Sequence, residues 1–429
     1  QVNRPRYANS RLVDDRGQLG EGVRTCWMGS CSWFWTRQGS IPLRGSTAHF
    51  SYALGAGSQL YDPELGLTAF DRSVLFLDRR FPVIRDVVRG TKSHRYEIVW
   101  HAIDAAAREG SWLRLEAKND RVLGVRIVAP ASFATRTEAQ TATHLAKFDP
   151  DGSMTAIFVR PEAEKRDATF LSALLPARGS TWADRPDVEP IDPAVPDRGL
   201  SIEGLPSGER YEVVFADAPD ETAEAARIRV IGMAGVRKSG SDGAVQRVLL
   251  AVGRRLELDG VVWIEVLDGD PATIEVEPRG DALAVSGDES ALRLYAPAAR
   301  RVLRNGVEVV FAREGEYVRL TEGSAPPAGG GAGGTGGADD GGSGGVGGCG
   351  GSLLAPIPEG RNGVPPTPRS PPLDAAVPEV EDGCADAPNG GGDAQAEKKR
   401  RGGCTSAASG ELAGAAALVL LALVRPRRR

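Results

Sequence analysis

Residues 1–322 read as short apolar runs separated by turn-forming residues, which is the pattern of successive β-strands. The clearest case is Arg95–Ala102, where Tyr96, Ile98 and Trp100 alternate with polar residues. Because successive side chains of a strand point to opposite faces, this segment predicts a strand with one buried face. The same kind of pattern recurs through the whole region.

Two dipeptides between apolar runs predict tight hairpins. Asp259-Gly260 and Asn305-Gly306 supply the pairs of positive-φ residues that two-residue hairpin turns require. Helical periodicity is nearly absent, and only Glu221–Ala226 is expected to form one or two helical turns. The pattern therefore predicts an all-β fold, a large antiparallel β-sandwich.

Composition divides the chain into four parts. We expect the main sandwich in residues 1–227 and a smaller terminal β-sheet in residues 228–322, where the apolar runs become shorter. Residues 323–403 hold 24 of the 54 Gly together with many Pro, and predict a disordered linker that forms no core. Residues 404–429 contain an apolar run and an Arg-rich tip.

Charge and the absence of several motifs narrow the function classes. The chain carries 52 Lys and Arg against 57 Asp and Glu, a net charge of −5 with no basic block in residues 1–322, which argues against nucleic-acid binding. The Gly runs of residues 329–351 are not followed by a Lys-Ser pair or a helix, so they predict linker and no phosphate site. No Ser/His/Asp order indicates a catalytic triad.

The chain contains five cysteines, and export would allow them to form disulfides. Cys26 and Cys31 are close enough in sequence for a local disulfide. A metal pair is the alternative, but no second pair of ligands follows. Cys349 and Cys384 lie in the linker, where they could bridge each other, and Cys404 begins the tail.

The tail combines a Gly-Cys pair, a small polar spacer, the apolar run Leu412–Val424 and an Arg-rich end. Thirteen helical residues span about 20 Å, which is short of the roughly 30 Å hydrocarbon core of a bilayer. This order of parts resembles the MYXO-CTERM sorting signal. The resemblance implies a sorting protease that cuts near Cys404, and a protein held at the cell surface or outer membrane through its tail. An ordinary membrane tail anchor is the alternative.

Two segments carry a second resemblance. Residues Tyr7–Gln18 read YANSRLVDDRGQ, and the segment from Arg72 to His101 contains RSVLFL, FPVIRDVV and HRYE. Both are similar to the heparinase II/III-like polysaccharide lyases, which show HNTV.VDG.GQ and then R.VLFL, VV.D and H.Y at comparable spacing.

The resemblance implies an antiparallel β-sandwich preceded by an α/α toroid that supplies most of the active site. It also implies β-elimination on a uronic-acid-containing polysaccharide, so the expected partner is an acidic polysaccharide. We expect this chain to correspond to the C-terminal sandwich without the toroid, and we assign no catalytic residue. Ala8 stands where the family has His, although Asn9 is retained, so neither a metal nor another cofactor is expected.

Candidate substrate-binding residues follow from the motifs and the aromatic content, and each has a structural alternative. Asn9 could instead stabilise a turn, and Trp33 could belong to the core. Arg72 could pair with Asp71 or Asp78. The five candidates are Asn9, Trp33, Arg72, His94 and His101.

The histidines also have structural alternatives. His94, expected in a loop before a strand, could be a surface or capping group, and His101 could be a satisfied structural residue. His49 and His144 have no patterned partner and are expected to be structural.

The leading hypothesis is therefore the C-terminal part of a surface-anchored polysaccharide lyase. The alternatives are a non-enzymatic carbohydrate-binding protein or adhesin, and a structural envelope protein displayed on a Gly/Pro stalk.

Overall fold

The structure, a computed structural model, describes residues 11–18, 39–141 and 153–323. Within these ranges 65% of residues lie in strands and 4% in helices, so the predicted all-β class is confirmed. In the described ranges, no helix is long and apolar enough to cross a membrane. Several sequence-based predictions concern residues outside these ranges and stay predictions: Ala8, Asn9, Cys26, Cys31, Trp33, His144, the linker and the tail with Cys404.

The strands of the first two sheets are β1 (Arg11–Val13), β2 (Ser40–Ser46), β3 (Ser51–Ala56), β4 (Leu67–Leu77), β5 (Phe81–His94), β6 (Tyr96–Ala102), β7 (Ala106–Glu109), β8 (Trp112–Ala117), β9 (Arg121–Ala129), β10 (Phe133–Thr141), β11 (Ser153–Pro161) and β12 (Lys165–Arg178). Short 3₁₀-helices occupy Ser58–Leu60, Pro63–Leu65 and Gly179–Asp184.

The third sheet contains β13 (Asp187–Pro190), β14 (Gly199–Glu203), β15 (Arg210–Phe215), β16 (Thr222–Ala225), β17 (Ile228–Ser239), β18 (Val245–Leu258), β19 (Val261–Val266), β20 (Ala272–Arg279), β21 (Ala282–Gly287), β22 (Leu292–Tyr295), β23 (Arg301–Arg304), β24 (Val307–Val309), β25 (Ala312–Glu314) and β26 (Tyr317–Leu320).

The strands form sheets of four, eight and fourteen. The four-stranded sheet has the order β1-β6-β11-β10, and the eight-stranded sheet has the order β2-β3-β4-β5-β12-β9-β8-β7. The main path of the third sheet is β13-β14-β15-β17-β18-β19-β22-β26-β25, with β16, β20, β21, β23 and β24 paired beside it. Every strand pair that the structure describes is antiparallel except β21 with β23. Consecutive strands pair in β2-β3-β4-β5 and in β7-β8-β9, as the short connections of antiparallel strands allow, whereas β1 with β6 and β5 with β12 pair strands that are distant in sequence.

The eight-stranded sheet forms the middle layer, with apolar side chains on both faces. On one face Ile84, Val125 and Phe170 pack against Ile98 and Ile157 of the four-stranded sheet. Its other face packs against the first strands of the third sheet. Both faces of β5 and β12 are therefore buried, which explains why these strands read as continuous apolar runs and not as alternating ones. A separate core lies within the rest of the third sheet.

The local predictions are mostly confirmed. Asp259 and Gly260 have φ of 51° and 79°, Asn305 and Gly306 have φ of 49° and 84°, and each pair forms a hairpin turn. The helical expectation for Glu221–Ala226 is wrong. Its central residues form β16, because Ala223 and Ala225 are buried against β17 while their neighbours remain exposed, which is a strand alternation.

The proposed division at residues 227 and 228 stays a prediction. In the structure that position precedes β17, which pairs with β15 and β16 on one side and with β18 on the other. The third sheet thus begins at Asp187 and continues through the proposed boundary.

Candidate functional site

The two motif segments, far apart in sequence, meet in one place. β1 pairs with β6, so that Arg11 lies opposite Ile98 and Val13 lies opposite Tyr96. This pairing places the first motif beside the last residues of β5, a strand that belongs to the second motif. The charged residues of the two segments thereby form one group between the four-stranded and eight-stranded sheets, which we call the motif cluster: Arg11, Asp14, Arg72, Asp86 and His94.

Asp86 is the centre of the motif cluster and is 1% exposed. Arg72 is its register partner on β4 and donates from Nε to Oδ1 at 2.7 Å and from Nη2 to Oδ2 at 3.0 Å. Arg11 reaches it from the other sheet, with Nη2 at 2.8 Å from Oδ1. One buried carboxylate therefore holds two guanidinium groups, and one of these pairs is bidentate.

The electrostatics follow from this arrangement. Burial alone would raise the pKa of Asp86, but the charges of Arg11 and Arg72 and the hydrogen bond from Arg72 lower it below its usual value. Burial lowers the pKa of Arg11 to about 10 despite the opposing charge of Asp86. All three groups are thus charged at neutral pH. Two guanidiniums and one carboxylate leave one positive charge in excess among these three residues, and the charge of the half-buried Asp71 beside Arg11 acts against it.

Arg11 is also fixed by aromatic residues. Its guanidinium lies 4.2 Å from the centroid of the Phe70 ring, and the Tyr61 hydroxyl donates to the Arg11 carbonyl oxygen at 3.1 Å. Among the described residues, Arg11 Nη1 is buried and has no hydrogen-bond partner.

Asp14 and His94 form the other end of the motif cluster. Nδ1 of His94 is 2.7 Å from Asp14 Oδ2, and Nε2 is 2.7 Å from the carbonyl oxygen of Leu65. Asp14 Oδ1 also accepts from the backbone N–H of Arg95 at 2.8 Å. Burial would raise the pKa of Asp14, but the hydrogen bonds from His94 and Arg95 lower it. Both ring nitrogens of His94 therefore lie within hydrogen-bond distance of an oxygen atom.

We expect Asp14→Asn to destabilise the fold by about 1–3 kcal/mol, because it removes the charged acceptor of a fully buried His94 side chain. Asp15→Asn is the matched control. Both positions have positive φ, which Asn tolerates, and the ion pair that the described residues give Asp15 is with Arg95 at the surface. Urea unfolding of the two variants measures the difference. Equal midpoints would show that the Asp14–His94 contact does not stabilise the protein.

The structure corrects two expectations for the motif residues. Arg72 does not pair with Asp71 or Asp78 but with Asp86, because hairpin register and not sequence proximity decides the partner. His94 is not a loop residue but the last residue of β5, and its side chain has no exposed surface. Contact between His94 and a ligand would therefore require Asp14 to move.

The other candidates have different surroundings. The Arg72 side chain is 23% exposed, so it is the described member of the motif cluster that combines a direct bond to Asp86 with access to solvent. His101 lies on β6 opposite Ala156 and is partly exposed. Ligand contacts by Arg72 and His101 stay predictions.

A second polar group, which the sequence did not indicate, surrounds His49. His49 Nδ1 lies 2.5 Å from Glu275 Oε1, and the backbone N–H of His49 donates to Glu275 Oε2 at 3.0 Å. These residues and Glu277 line a cavity of about 450 Å³ between the β2–β3 turn and strands β20 and β21. The sequence gives His49 no patterned partner and predicts a structural role. In the structure its partner is Glu275, 226 positions away.

The His49 group also contains residues that could ligate a metal ion. The ligand atoms of His49, Glu275 and Glu277 lie within 4.8 Å of one another. However, Arg247 Nε lies 3.5 Å from Glu275 and 3.2 Å from Glu277, and Arg279 lies 2.8 Å from Glu277. Because two guanidiniums already neutralise these carboxylates, the arrangement fits an ion-pair link between two sheets better than a cation site.

The ion pairs continue from Arg247 to the β4–β5 turn. Asp78 accepts from Arg247 at 3.0 Å, and from Lys238 and the Tyr211 hydroxyl at 2.6 Å each. Burial would raise the pKa of Asp78, but hydrogen bonds from Lys238 and Tyr211 and the charges of Lys238 and Arg247 lower it. This network connects the middle layer to the third sheet.

No protein-family model and no curated protein matches the sequence. Solved structures do match. Heparan sulfate lyase HepC from Pedobacter heparinus aligns with a TM-score of 0.34 and 11% identity, covering 45% of this chain and 28% of that one. A crystal structure of heparinase III aligns with a TM-score of 0.34 and 12% identity, covering 57% of this chain and 29% of that one. The similarity is distant, and the chain spans less than a third of the length of these structures.

Proposed function

We propose that residues 11–323 form the β-sandwich part of a lyase that acts on an acidic polysaccharide. The observation that carries the proposal is the meeting of both motif segments in the motif cluster. A sequence pattern matched by chance has no reason to bring Arg11 and Asp14 onto Asp86 and His94. In this proposal the sandwich binds the polysaccharide and a separate part of the enzyme transfers the proton.

The charges of the motif cluster support an acidic ligand. Guanidinium groups form bidentate hydrogen bonds with carboxylates and sulfates, and the cluster carries one positive charge more than Asp86 neutralises. In β-elimination, negative charge grows on the uronate carboxylate as the neighbouring proton is removed. A fixed positive charge nearby would stabilise that transition state.

The tyrosines beside the cluster do not supply the base. Burial raises the pKa of Tyr96 to about 12 and raises the pKa of Tyr61 further. Each hydroxyl donates to a backbone carbonyl oxygen, Tyr96 to Arg166 and Tyr61 to Arg11. Both phenols are therefore neutral near pH 7 and serve to hold the cluster together.

An elimination assay of the full chain tests the proposal. We expect no sustained formation of unsaturated uronide from heparan sulfate or other uronate polymers, measured by the absorbance of the new double bond. We also expect the polymer to be retained in affinity electrophoresis. Robust turnover by this chain alone would contradict the division of roles, and the absence of any retention would contradict the function.

We further propose that the tail is a sorting signal and that the protein is displayed at the cell surface. The order of Gly403-Cys404, spacer, apolar run and Arg cluster supports this. Cys404→Ala should abolish processing, so that cell fractionation and mass spectrometry find only the unprocessed form. Cys349→Ala, in the linker, is the control and should be processed normally. Normal processing of Cys404→Ala would exclude Cys404 as the processing residue.

A further inference from the structure

One part of the third sheet carries a row of three partly exposed aromatic rings. Tyr295 of β22 lies opposite Tyr317 of β26, and Trp263 of β19 is the next position in register with Tyr295. The ring centroids of Trp263 and Tyr295 are 5.4 Å apart, and those of Tyr295 and Tyr317 are 5.7 Å apart. Three rings therefore form a line across three adjacent strands.

The alternation of these strands determines which face the rings occupy. Ile264, Leu294 and Val318, each adjacent in sequence to a ring of the row, are fully buried in the core of the third sheet. Since neighbouring side chains of a strand point to opposite faces, the rings project towards the outer face, where all three are partly exposed, and part of Trp263 also packs against that core. Outer faces of antiparallel sheets are usually polar, so an aromatic row at this position is unusual.

A row of arginines runs beside the aromatic row on the same face. In register, Arg255 of β18 lies opposite Glu265, Glu265 lies opposite Arg293, and Arg293 lies opposite Arg319. The side chains of these three arginines are 38%, 36% and 53% exposed, respectively. The Arg293 guanidinium also lies 4.0 Å from the centroid of the Tyr317 ring, which connects the two rows.

The ion pairs of this face form one continuous row. They run in the order Glu224, Arg229, Glu257, Arg255, Glu265, Arg293, Glu314 and Arg319, so four arginines alternate with four glutamates and Arg319 stands at one end. Glu314, whose side chain is 40% exposed, pairs with Arg293 and Arg319, and exposed ion pairs of this kind contribute only about 0–1 kcal/mol each. Glu314 can therefore be exchanged at little cost for the carboxylate or sulfate of a ligand, which an arginine binds bidentately.

We propose that these two rows form a binding face for an acidic polysaccharide chain, separate from the motif cluster. The aromatic rings would pack against the apolar faces of successive sugars, and the arginines would bind their carboxylates or sulfates. Neighbouring strands are about 4.8 Å apart, close to the length that one sugar adds to a glycan, so a chain crossing β19, β22 and β26 meets one ring per sugar. The class of ligand rests on the proposed function, whereas the position of the face does not.

Isothermal titration of the full chain with heparan sulfate at low salt tests this proposal. Trp263→Leu keeps an apolar side chain but removes the ring, and Arg319→Gln removes the most exposed of the three arginines without disturbing the core. We expect each variant to bind at least about tenfold more weakly, equivalent to about 1.4 kcal/mol. Arg121→Gln, an exposed arginine on the eight-stranded sheet, is the matched control and should bind as the unmodified chain does.

The possible outcomes separate this inference from the proposed function. If the unmodified chain binds and both variants bind equally well, the rows only stabilise the sheet and the inference is overturned, while the proposed function stands. If Trp263→Leu loses affinity and its unfolding midpoint falls, while Arg319→Gln binds as the unmodified chain does, the loss reflects stability alone and the inference is overturned. If the unmodified chain binds no acidic polysaccharide, both proposals are overturned.

Discussion

Asp86→Ala is expected to destabilise the folded protein by about 3–5 kcal/mol, the largest effect of any single substitution in the motif cluster. Asp86 is buried, and it neutralises Arg11, which is 6% exposed, as well as Arg72. Removing the carboxylate leaves two guanidinium groups facing each other between two sheets. The cost arises mainly from this unpaired buried charge and only in part from the lost hydrogen bonds.

Urea unfolding monitored by circular dichroism measures this effect. Asp167→Ala is the control, because Asp167 forms an ion pair with Arg166 at the surface, where we expect a loss of less than about 1 kcal/mol. A double variant in which Asp86 and Arg11 are both replaced by apolar residues should recover part of the loss. A loss below about 1 kcal/mol for Asp86→Ala would show that the cluster is not held together by this carboxylate.

The second large expected effect is a loss of stability in acid. Three buried or half-buried aspartates (Asp78, Asp86 and Asp217), the more exposed Asp14, and Glu277 have pKa values lowered by their cationic and hydrogen-bonding partners, although burial alone would raise each of them. A carboxyl group with a lowered pKa in the folded state stabilises that state above its unfolded pKa, about 3.9 for Asp and 4.3 for Glu. The stabilisation is lost as the pH falls through the folded pKa.

The unfolding free energy should therefore change little above about pH 5 and fall by several kcal/mol between about pH 5 and pH 2. Asp71 acts in the opposite direction, because burial raises its pKa, but it is one group against five. Asp78→Asn should lower the stability at pH 7 and reduce the dependence on pH below about pH 4. Urea midpoints measured from pH 7 to pH 3 provide the test. A midpoint that stays constant over this range would contradict the assigned ion pairs.

The fold was predictable wherever it depends on local pattern. Alternation predicted strands such as Arg95–Ala102, and the Asp-Gly and Asn-Gly pairs predicted hairpins, because period and turn chemistry are encoded within a few residues. Glu221–Ala226 was misassigned, because six residues rich in Ala and Glu favour a helix until burial against β17 selects a strand.

The candidate site was only partly predictable. In the β4–β5 hairpin Leu77 lies opposite Phe81. Arg72, five positions before Leu77, therefore lies opposite Asp86, five positions after Phe81. Counting residues outwards from that turn predicts Asp86, and not Asp71 or Asp78, as the partner of Arg72. By contrast, the contact between His49 and Glu275 depends on how two sheets pack, and no local pattern encodes it. The aromatic row likewise needs the order β19-β22-β26, which places strands together that are not consecutive in sequence.

The most direct test of the central claim, that the sandwich binds an acidic polysaccharide through fixed positive charge, is a binding comparison with matched polymers. The full chain would be titrated with heparan sulfate, and with the same polymer after desulfation and carboxyl reduction, at two salt concentrations. We expect binding to the acidic polymer only, with an affinity that falls as salt rises. Equal affinity for the acidic and neutralised polymers, or no binding to either, would contradict the claim.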